Sequence, residues 1–269
     1  MNGWRIRGGV LSLDAPCVMG ILNVTPDSFS DGGQYNDPAM AAARAREMAA
    51  QGAAIIDIGA QSTRPGATPL SAEEEWARLA PCLQAVLQAV DVPVSVDTFY
   101  PMVAKQALAM GAHIINDVSG SEHNGMLDVV AAHDAGIVCM RTGETADRTA
   151  DPAQTVADMH AYIRRVLAAG LPQEAICLDV GIGFGSSTAG DMALIANLPA
   201  FAAYGLPLLV GASRKRVVRE VCGEDVVVGS VALHTVAMMN GAHVVRAHDV
   251  AETVAAARAV TATKGVYNI

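Results

Sequence analysis

Val18-Met19-Gly20-Ile21-Leu22-Asn23 reads as a short buried strand that stops on a polar residue, and the same pattern recurs seven more times. Ala54-Ile55-Ile56-Asp57-Ile58-Gly59 leads to Ser62-Thr63-Arg64, Val94-Ser95-Val96 ends on Asp97, and Ile114-Ile115 ends on Asn116-Asp117. Ile137-Val138-Cys139-Met140 stops on Arg141-Thr142 and Ile176-Cys177-Leu178 on Asp179. Leu208-Leu209-Val210 runs into Gly211-Ala212-Ser213-Arg214-Lys215, and Val244-Val245 into Arg246-Ala247-His248. Short apolar runs, each followed by helical sequence, are buried parallel strands. Eight of them predict an α/β chain folded as a single (β/α)8 TIM barrel. In that fold the C-terminal strand ends surround the active site, so the polar stops read as chemistry.

The segments between the runs carry helix signals. Asp37-Pro38 is an N-cap with proline at the first helical position, opening a helix that stops near Gly52. Ser71-Ala72-Glu73-Glu74 has the spacing of a capping box, and Pro101 to Met110 closes on Gly111. Further helices are predicted over 124–135, 152–169, 191–203, 214–221 with 229–240, and 251–263. Trp4-Arg5-Ile6-Arg7-Gly8-Gly9-Val10-Leu11 carries a Gly-Gly hairpin signal, and this short N-terminal β-hairpin is expected to plug the barrel's bottom. A barrel takes about 250 residues, so residues 1–269 are expected to form one domain. An open dinucleotide-binding sheet is disfavoured: Gly181-Ile182-Gly183-Phe184-Gly185 follows the sixth run, not the first, and has the wrong spacing.

Composition narrows the class. Hydrophobic residues make up 52% of the chain and aromatics only 4%, which suits packing by small and branched aliphatic side chains. No apolar run approaches the roughly 20 residues of a membrane span and no signal-peptide core is present, so a cytoplasmic protein without membrane attachment is expected. The net charge of −9 argues against a nucleic-acid partner, while a local positive field could still hold an anionic substrate. Cys17, Cys82, Cys139, Cys177 and Cys222 are widely spaced with no CxxC. Cys139 and Cys177, inside strand runs, read as small reduced core residues.

Two segments are rich in turn formers: Asn23-Val24-Thr25-Pro26-Asp27-Ser28-Phe29-Ser30-Asp31-Gly32-Gly33, and Ala60-Gln61-Ser62-Thr63-Arg64-Pro65-Gly66-Ala67. Loops of that length are more often functional than idle. Met19 to Gly33 resembles the first signature of the dihydropteroate synthase family, and Ser62-Thr63-Arg64-Pro65-Gly66 the second. Ser95-Val96-Asp97-Thr98, Gly111 to Asp117, Ser213-Arg214-Lys215 and Arg246-Ala247-His248-Asp249 are similar to the remaining motifs, in the same order. The resemblance runs from about Val18 to Ala262. It implies a transferase of folate biosynthesis that joins 7,8-dihydropterin-CH2 pyrophosphate to 4-aminobenzoate.

The residue types suit those small-molecule substrates. A pterin's amino-pyrimidinone edge needs acceptors for its N–H groups and a donor for its carbonyl. Ionised Asp97 and Asp179 only accept, Asn116 does both, and Lys215 donates. The resemblance assigns the pterin to these four and to Met140. It assigns the diphosphate to Asn23, Arg64, Arg246 and His248, the aminobenzoate to Phe29, Thr63, Pro65 and Ser213, and a Mg²⁺ ion to Asn23. Asn23, Arg64, Lys215, Arg246 and His248 are the expected catalytic set. Arg64 and Arg246 are expected to meet because strands two and eight are taken as neighbours. The bland alternatives are that Asp97 or Asp179 caps a helix or salt-bridges within the barrel, and that Arg246 pairs with Asp249 or Glu252. Closure of the two loops over bound pyrophosphate is expected to build the aminobenzoate pocket, so the pterin substrate would bind first.

Several positions depart from the family. Asp179-Val180-Gly181 replaces the usual Asp-Pro-Gly, and Phe184-Gly185-Ser186 the usual Phe-Gly-Lys. Met140-Arg141-Thr142 replaces Met-His-Met, Gln61 replaces a glutamate, and Arg216 stands where a small or aromatic residue is common. These changes leave room for a pterin-binding paralogue with weak or no synthase activity. A corrinoid-linked methyltransferase on a related barrel is disfavoured by the complete Ser62-Thr63-Arg64-Pro65-Gly66 motif. Val231-Ala232-Leu233 and Val236-Ala237-Met238-Met239 carry more apolar residues than one buried helix face needs, and a homodimer is expected.

Overall fold

The computed structural model describes residues 3–25, 37–61, 70–120, 125–142 and 151–267. A two-stranded antiparallel hairpin, β1 (Gly3–Ile6) and β2 (Gly9–Ser12), leads into eight parallel strands. These are β3 (Cys17–Asn23), β4 (Ile55–Gly59), β5 (Val94–Asp97), β6 (Ile114–Asp117), β7 (Gly136–Met140), β8 (Ile176–Asp179), β9 (Leu208–Val210) and β10 (Val244–Ala247). They close into a barrel in the order β10-β3-β4-β5-β6-β7-β8-β9. Every predicted run is a barrel strand. The neighbour expectation is corrected: closure sets the last strand beside the first, so β3 lies between β4 and β10.

The helices are α1 (Pro38–Ala50), α2 (Ala72–Leu87), α3 (Pro101–Met110), α4 (Met126–Ala132) and α5 (Pro152–Ala168), then α6 (Thr188–Ala196), α7 (Leu198–Ala202), α8 (Arg216–Cys222), α9 (Val226–Met239) and α10 (Val250–Tyr267). Asp37 caps α1 by accepting from the Ala39 and Met40 N–H groups. Ser71 and Glu74 form the reciprocal capping box of α2. Ser71→Ala removes half of that box and should cost about 1 kcal/mol, seen as a lower melting midpoint with unchanged activity.

Several helix starts differ from the sequence reading by two or three residues, α9 beginning at Val226 and α4 at Met126 among them, and two have a plain local cause. The helix predicted from residue 191 begins at Thr188, because Ser187 Oγ accepts from Gly190 N at 3.0 Å. It breaks at Asn197, after which Pro199 sits in the first turn of α7, where its missing N–H has no helical partner to lose. The helix predicted from 214 begins at Arg216, because Arg214 takes the left-handed conformation at φ 57°. Among the described residues no single helix is long and apolar enough to cross a membrane.

Strand alternation sorts the side chains into an outer layer against the helices and an inner one. Met19, Ile55, Ile114, Val138, Cys177, Leu209 and Val244 fill the lower barrel and pack on Trp4, Ile6 and Leu13. Trp4 is fully buried and donates from Nε1 to the Ala175 carbonyl at 2.9 Å. The hairpin therefore plugs the bottom as its sequence predicts, though its turn residues are Arg7 and Gly8, with Gly9 already paired to Ile6. Cys139 and Cys177 are buried free thiols in the core.

Strands β6 and β10 begin in the same way. In Gly111-Ala112-His113 and Gly241-Ala242-His243, the alanine N–H reaches back to Ala107 O and Ala237 O respectively. The histidine N–H bonds the first residue of the preceding strand, Val94 O or Leu208 O, at 2.9 Å. Each ring Nδ1 then accepts that same residue's N–H, at 3.1 Å for His113 and 3.2 Å for His243. Burial holds both imidazoles below the ordinary histidine value, which keeps the accepting nitrogen unprotonated.

Candidate functional site

Strand register joins the predicted residues in two rows. Asn23 pairs with Gly59, Gly59 with Asp97, and Asp97 with Asn116, while Met140 pairs with Asp179 across the mouth. All five stand at or next to the C-terminal ends of their strands, with Asn116, paired to Val138, two residues lower in the register than Met140. Gly59 is needed there: a Cβ on it would stand 3.2 Å from Asp97 Cβ, and the bare backbone lets the carboxylate fold into the mouth.

The floor is a charge network that the sequence did not reveal. Arg246 Nε donates to Asp57 Oδ2 and Nη2 to Asp97 Oδ2, both at 2.7 Å. Asn116 Nδ2 donates to the same Asp57 oxygen at 3.1 Å. Asp57 is fully buried, and a carboxylate there is tolerable only when paired. A lone aspartate inside an apolar strand was the available signal. Asp57 Oδ1 and Asn116 Oδ1 are buried without a hydrogen-bond partner among the described residues, an arrangement that a donating ligand edge would relieve. Burial pushes the Asp97 carboxyl up to about 7; Arg246 opposes that shift, while Asp57 and Glu75 add to it.

Opposite lies the second charged pair. Asp179 Oδ1 accepts from Gly181 N at 2.8 Å. A Cβ built on Gly211 would stand 3.9 Å from both Asp179 Oδ2 and Lys215 Nζ and 3.7 Å from Arg246 Cβ, so the three side chains converge over one glycine. Burial raises Asp179 and drives Lys215 down to about 8, each opposing the other's shift. Met140 is fully buried beneath them.

A third group follows β9 and β10. Ser213 Oγ lies 3.0 Å from His248 Nδ1 and accepts from His248 N at 3.2 Å. Asp249 is held by Arg214 through Nε at 3.1 Å and Nη2 at 2.5 Å. Arg246 therefore pairs with neither Asp249 nor Glu252; its partners lie inside the barrel. Neither Asp97 nor Asp179 caps a helix, but Asp97 does salt-bridge within the barrel, to Arg246 at 2.7 Å.

Of the predicted residues, Phe29, Thr63, Arg64 and Pro65 lie outside the described residues, as do most of both long loops. The base of the second is described: Gln61 Oε1 accepts from Leu70 N at 3.0 Å, and Tyr100 donates to Leu70 O at 2.6 Å. Among the described residues no group of three or more His, Cys, Asp or Glu is placed to share a metal ion. A cavity of about 280 Å³ between α4 and α5 is lined mainly by Leu127, Cys139, Val166 and Leu171, with Arg165 its one charged residue. It lies outside the barrel, away from the polar rim.

Comparison with known proteins agrees with this geometry. The family model described as pterin binding enzyme matches residues 19–248. The dihydropteroate synthase of Escherichia coli strain K12 is 42% identical over 269 residues, covering 96% of this chain and 95% of the relative. The structure of Xanthomonas albilineans dihydropteroate synthase with 4-aminobenzoic acid superposes with a TM-score of 0.89 at 40% identity, over 99% of each chain. The same enzyme in complex with 7,8-dihydropteroate gives 0.85 at 38% identity, over 98% of this chain and 99% of that one.

Proposed function

The chain belongs to the pterin-binding enzyme family as a dihydropteroate synthase, a transferase of folate biosynthesis, and on that premise we propose how its rim is divided between the substrates. The reaction joins 7,8-dihydropterin-CH2 pyrophosphate to 4-aminobenzoate and releases pyrophosphate and 7,8-dihydropteroate.

The pterin edge lies against Asp97, Asn116, Asp179 and Lys215, with Met140 below the ring. The observation that supports this is the convergence of buried acceptors and one ammonium donor at a single barrel end. Asn116 Oδ1 and the Asp179 carboxylate accept from ring N–H groups, and Lys215 donates to the ring carbonyl. The diphosphate lies toward Asn23, Arg246 and His248, with Arg64. Arg246 spends two nitrogens on Asp57 and Asp97, which holds the guanidinium rigid and directs its remaining edge toward an anion. The aminobenzoate lies toward Ser213, with Phe29, Thr63 and Pro65.

The methylene–oxygen bond breaks with its electron pair leaving on the pyrophosphate, and the electron-rich ring carries the resulting cation. Arg246, His248 and Arg64 stabilise the leaving charge. The neutral arylamine then attacks the methylene carbon and gives up one proton, so no strong general base is required. Asn23, half-buried at the end of β3, offers a carboxamide oxygen that suits a hard cation and would hold a Mg²⁺ ion carried on the substrate. Bound there, the ion supplies charge neutralisation to the leaving group.

Incubation of the purified protein with both substrates and Mg²⁺ is expected to yield 7,8-dihydropteroate. A folded protein that binds pterin but forms no product would establish a binding-only paralogue. Methyl transfer from methyltetrahydrofolate to a corrinoid would move the protein to another reaction class.

Pairing into a homodimer through α8 and α9 belongs to the same proposal. Val221, Val228, Val236 and Met239 are exposed there, at 45%, 64%, 46% and 50%. That clustering of large apolar side chains suits a self-complementary surface. Light scattering at micromolar concentration should give about twice the 27.8 kDa chain mass; a monomer mass would exclude the dimer.

A further inference from the structure

The segment between β8 and α6 contains three glycines in the left-handed region, Gly181, Gly183 and Gly185, at φ 74°, 79° and 71°. Alternating glycines of this kind restrict the chain weakly, yet the segment carries two groups that meet Lys215. Ile182 O accepts from Lys215 Nζ at 2.6 Å, and the Phe184 ring centre lies 4.5 Å from the same nitrogen. A Cβ on Gly183 would stand 3.2 Å from Lys215 Cδ, so the lysine stem runs along the loop.

What fixes the loop is a set of side chains outside the substrate groups. Arg141 is buried at the end of β7, and its N–H extends the pairing to Asp179 O at 3.0 Å. Its guanidinium spans the loop from start to finish: Nε donates to Val180 O at 3.3 Å, and Nη2 to Phe184 O at 3.5 Å and Ser186 Oγ at 3.4 Å. Ser186 Oγ passes the interaction on, donating to Asp191 Oδ1 at 2.5 Å, and that oxygen also accepts from Gly183 N at 2.9 Å. Arg216 adds a bond from Nη2 to Ser186 O at 3.4 Å. The Arg141 carbonyl itself lies 2.0 Å from where a Gly181 Cβ would stand, so the arginine backbone and the loop are in direct contact.

We propose that Arg141, acting through Ser186 and Asp191, is a positioning residue that holds the glycine loop against Lys215 and so keeps its ammonium shielded and aimed into the mouth. Arg141 does not touch the lysine; it acts through the Ile182 carbonyl and the Phe184 ring. The claim rests on the reading that Lys215 serves the pterin. The groups that face the lysine are Asp179 on β8, Asp191 on α6, Asp97 on β5, Arg246 on β10 and His234 on α9. Two of them also bond the loop, Asp179 at Gly181 N and Asp191 at Gly183 N and Ser186 Oγ. Loosening admits water, which removes the desolvation that lowers the lysine.

The chain has only three lysines, Lys105, Lys215 and Lys264, so protein labelled with ¹³C at lysine Cε gives three resolvable titrations. Lys215→Arg identifies the signal of interest. The parent signal should titrate near 8. In Arg141→Met it should move upward toward the ordinary lysine value of about 10.4. Ser186→Ala changes no charge and should move it part of the way, which separates loosening from simple loss of a neighbouring cation. Adding Ser186→Ala to Arg141→Met should add little.

In turnover, kcat/KM for the pterin substrate should fall on the order of tenfold in Arg141→Met, chiefly through KM, and Arg141→Lys should recover part of it. Should Arg141→Met fail to fold, Ser186→Ala alone decides. A Lys215 midpoint unchanged in the folded variants would overturn the proposal. A shifted midpoint with unchanged pterin affinity would keep the positioning and instead remove Lys215 from the pterin site.

Discussion

In an Asp179→Ala variant, calorimetry is expected to find pterin binding strongly weakened while pyrophosphate binds as in the parent. Asp179 closes β8 with one oxygen on Gly181 N and the other beside Lys215 and the open face of Gly211. In the proposed division of the rim a carboxylate in that place meets the ring edge and not the leaving group. The missing interaction is a charge-assisted hydrogen bond in a buried mouth, worth about 1.5–3 kcal/mol, or about 10- to 150-fold in affinity. Asp179→Asn keeps an acceptor for Gly181 N and loses only the charge, so the loop should stay in place while pterin affinity still drops. Unchanged pterin affinity in the alanine variant would place the ring elsewhere.

Arg246→Ala should do more damage to the fold than any rim substitution, and should weaken pyrophosphate binding as well. It leaves Asp57, which is fully buried, and Asp97, which is 10% exposed, facing each other without their cation. Removing one member of a buried ion pair costs about 3–5 kcal/mol. The pH dependence follows in sign. Burial already lifts the folded-state Asp97 to about 7, above its unfolded value, and loss of Arg246 lifts it further. The folded variant therefore binds protons that the unfolded chain releases, and its stability falls as pH rises through the folded value. The deficit against the parent should be largest at pH 9 and should shrink as pH falls toward about 7, where Asp97 protonates in the folded parent as well. Urea titrations at the two pH values measure it. A deficit independent of pH would mean that the two carboxylates are not what the arginine neutralises.

The strands were legible because each is a short apolar run bounded by a polar stop, a pattern set by burial on both faces. The rim was legible for the same reason, since a polar residue at a strand end has few other uses. The floor was not. Asp57 and Arg246 are 189 positions apart, and nothing local in either stretch names the other. Asp57 sits among Ile55, Ile56 and Ile58, where alternation alone marks it only as inward-facing. Arg141 and Ser186 could be read as departures from a motif, but their joint action needs the β7–β8 pairing that brings them within 3.4 Å. Helix starts were misplaced where a single side chain decided them: Ser187 moved one three residues earlier, and the left-handed Arg214 moved another two later.

The matched junctions at His113 and His243 follow the symmetry of the barrel. They open the fourth and eighth strands of the barrel, so half a turn about its axis carries one onto the other, with the same glycine, alanine and histidine and the same three bonds to the preceding element. One local solution therefore serves two strands on opposite sides of the barrel: each histidine satisfies a backbone N–H of the strand before it, at the base. The upper ends of the same two strands share nothing, one running to Asn116-Asp117 and the other to Arg246-Ala247-His248. The base of this barrel is built from interchangeable parts, and the mouth is not.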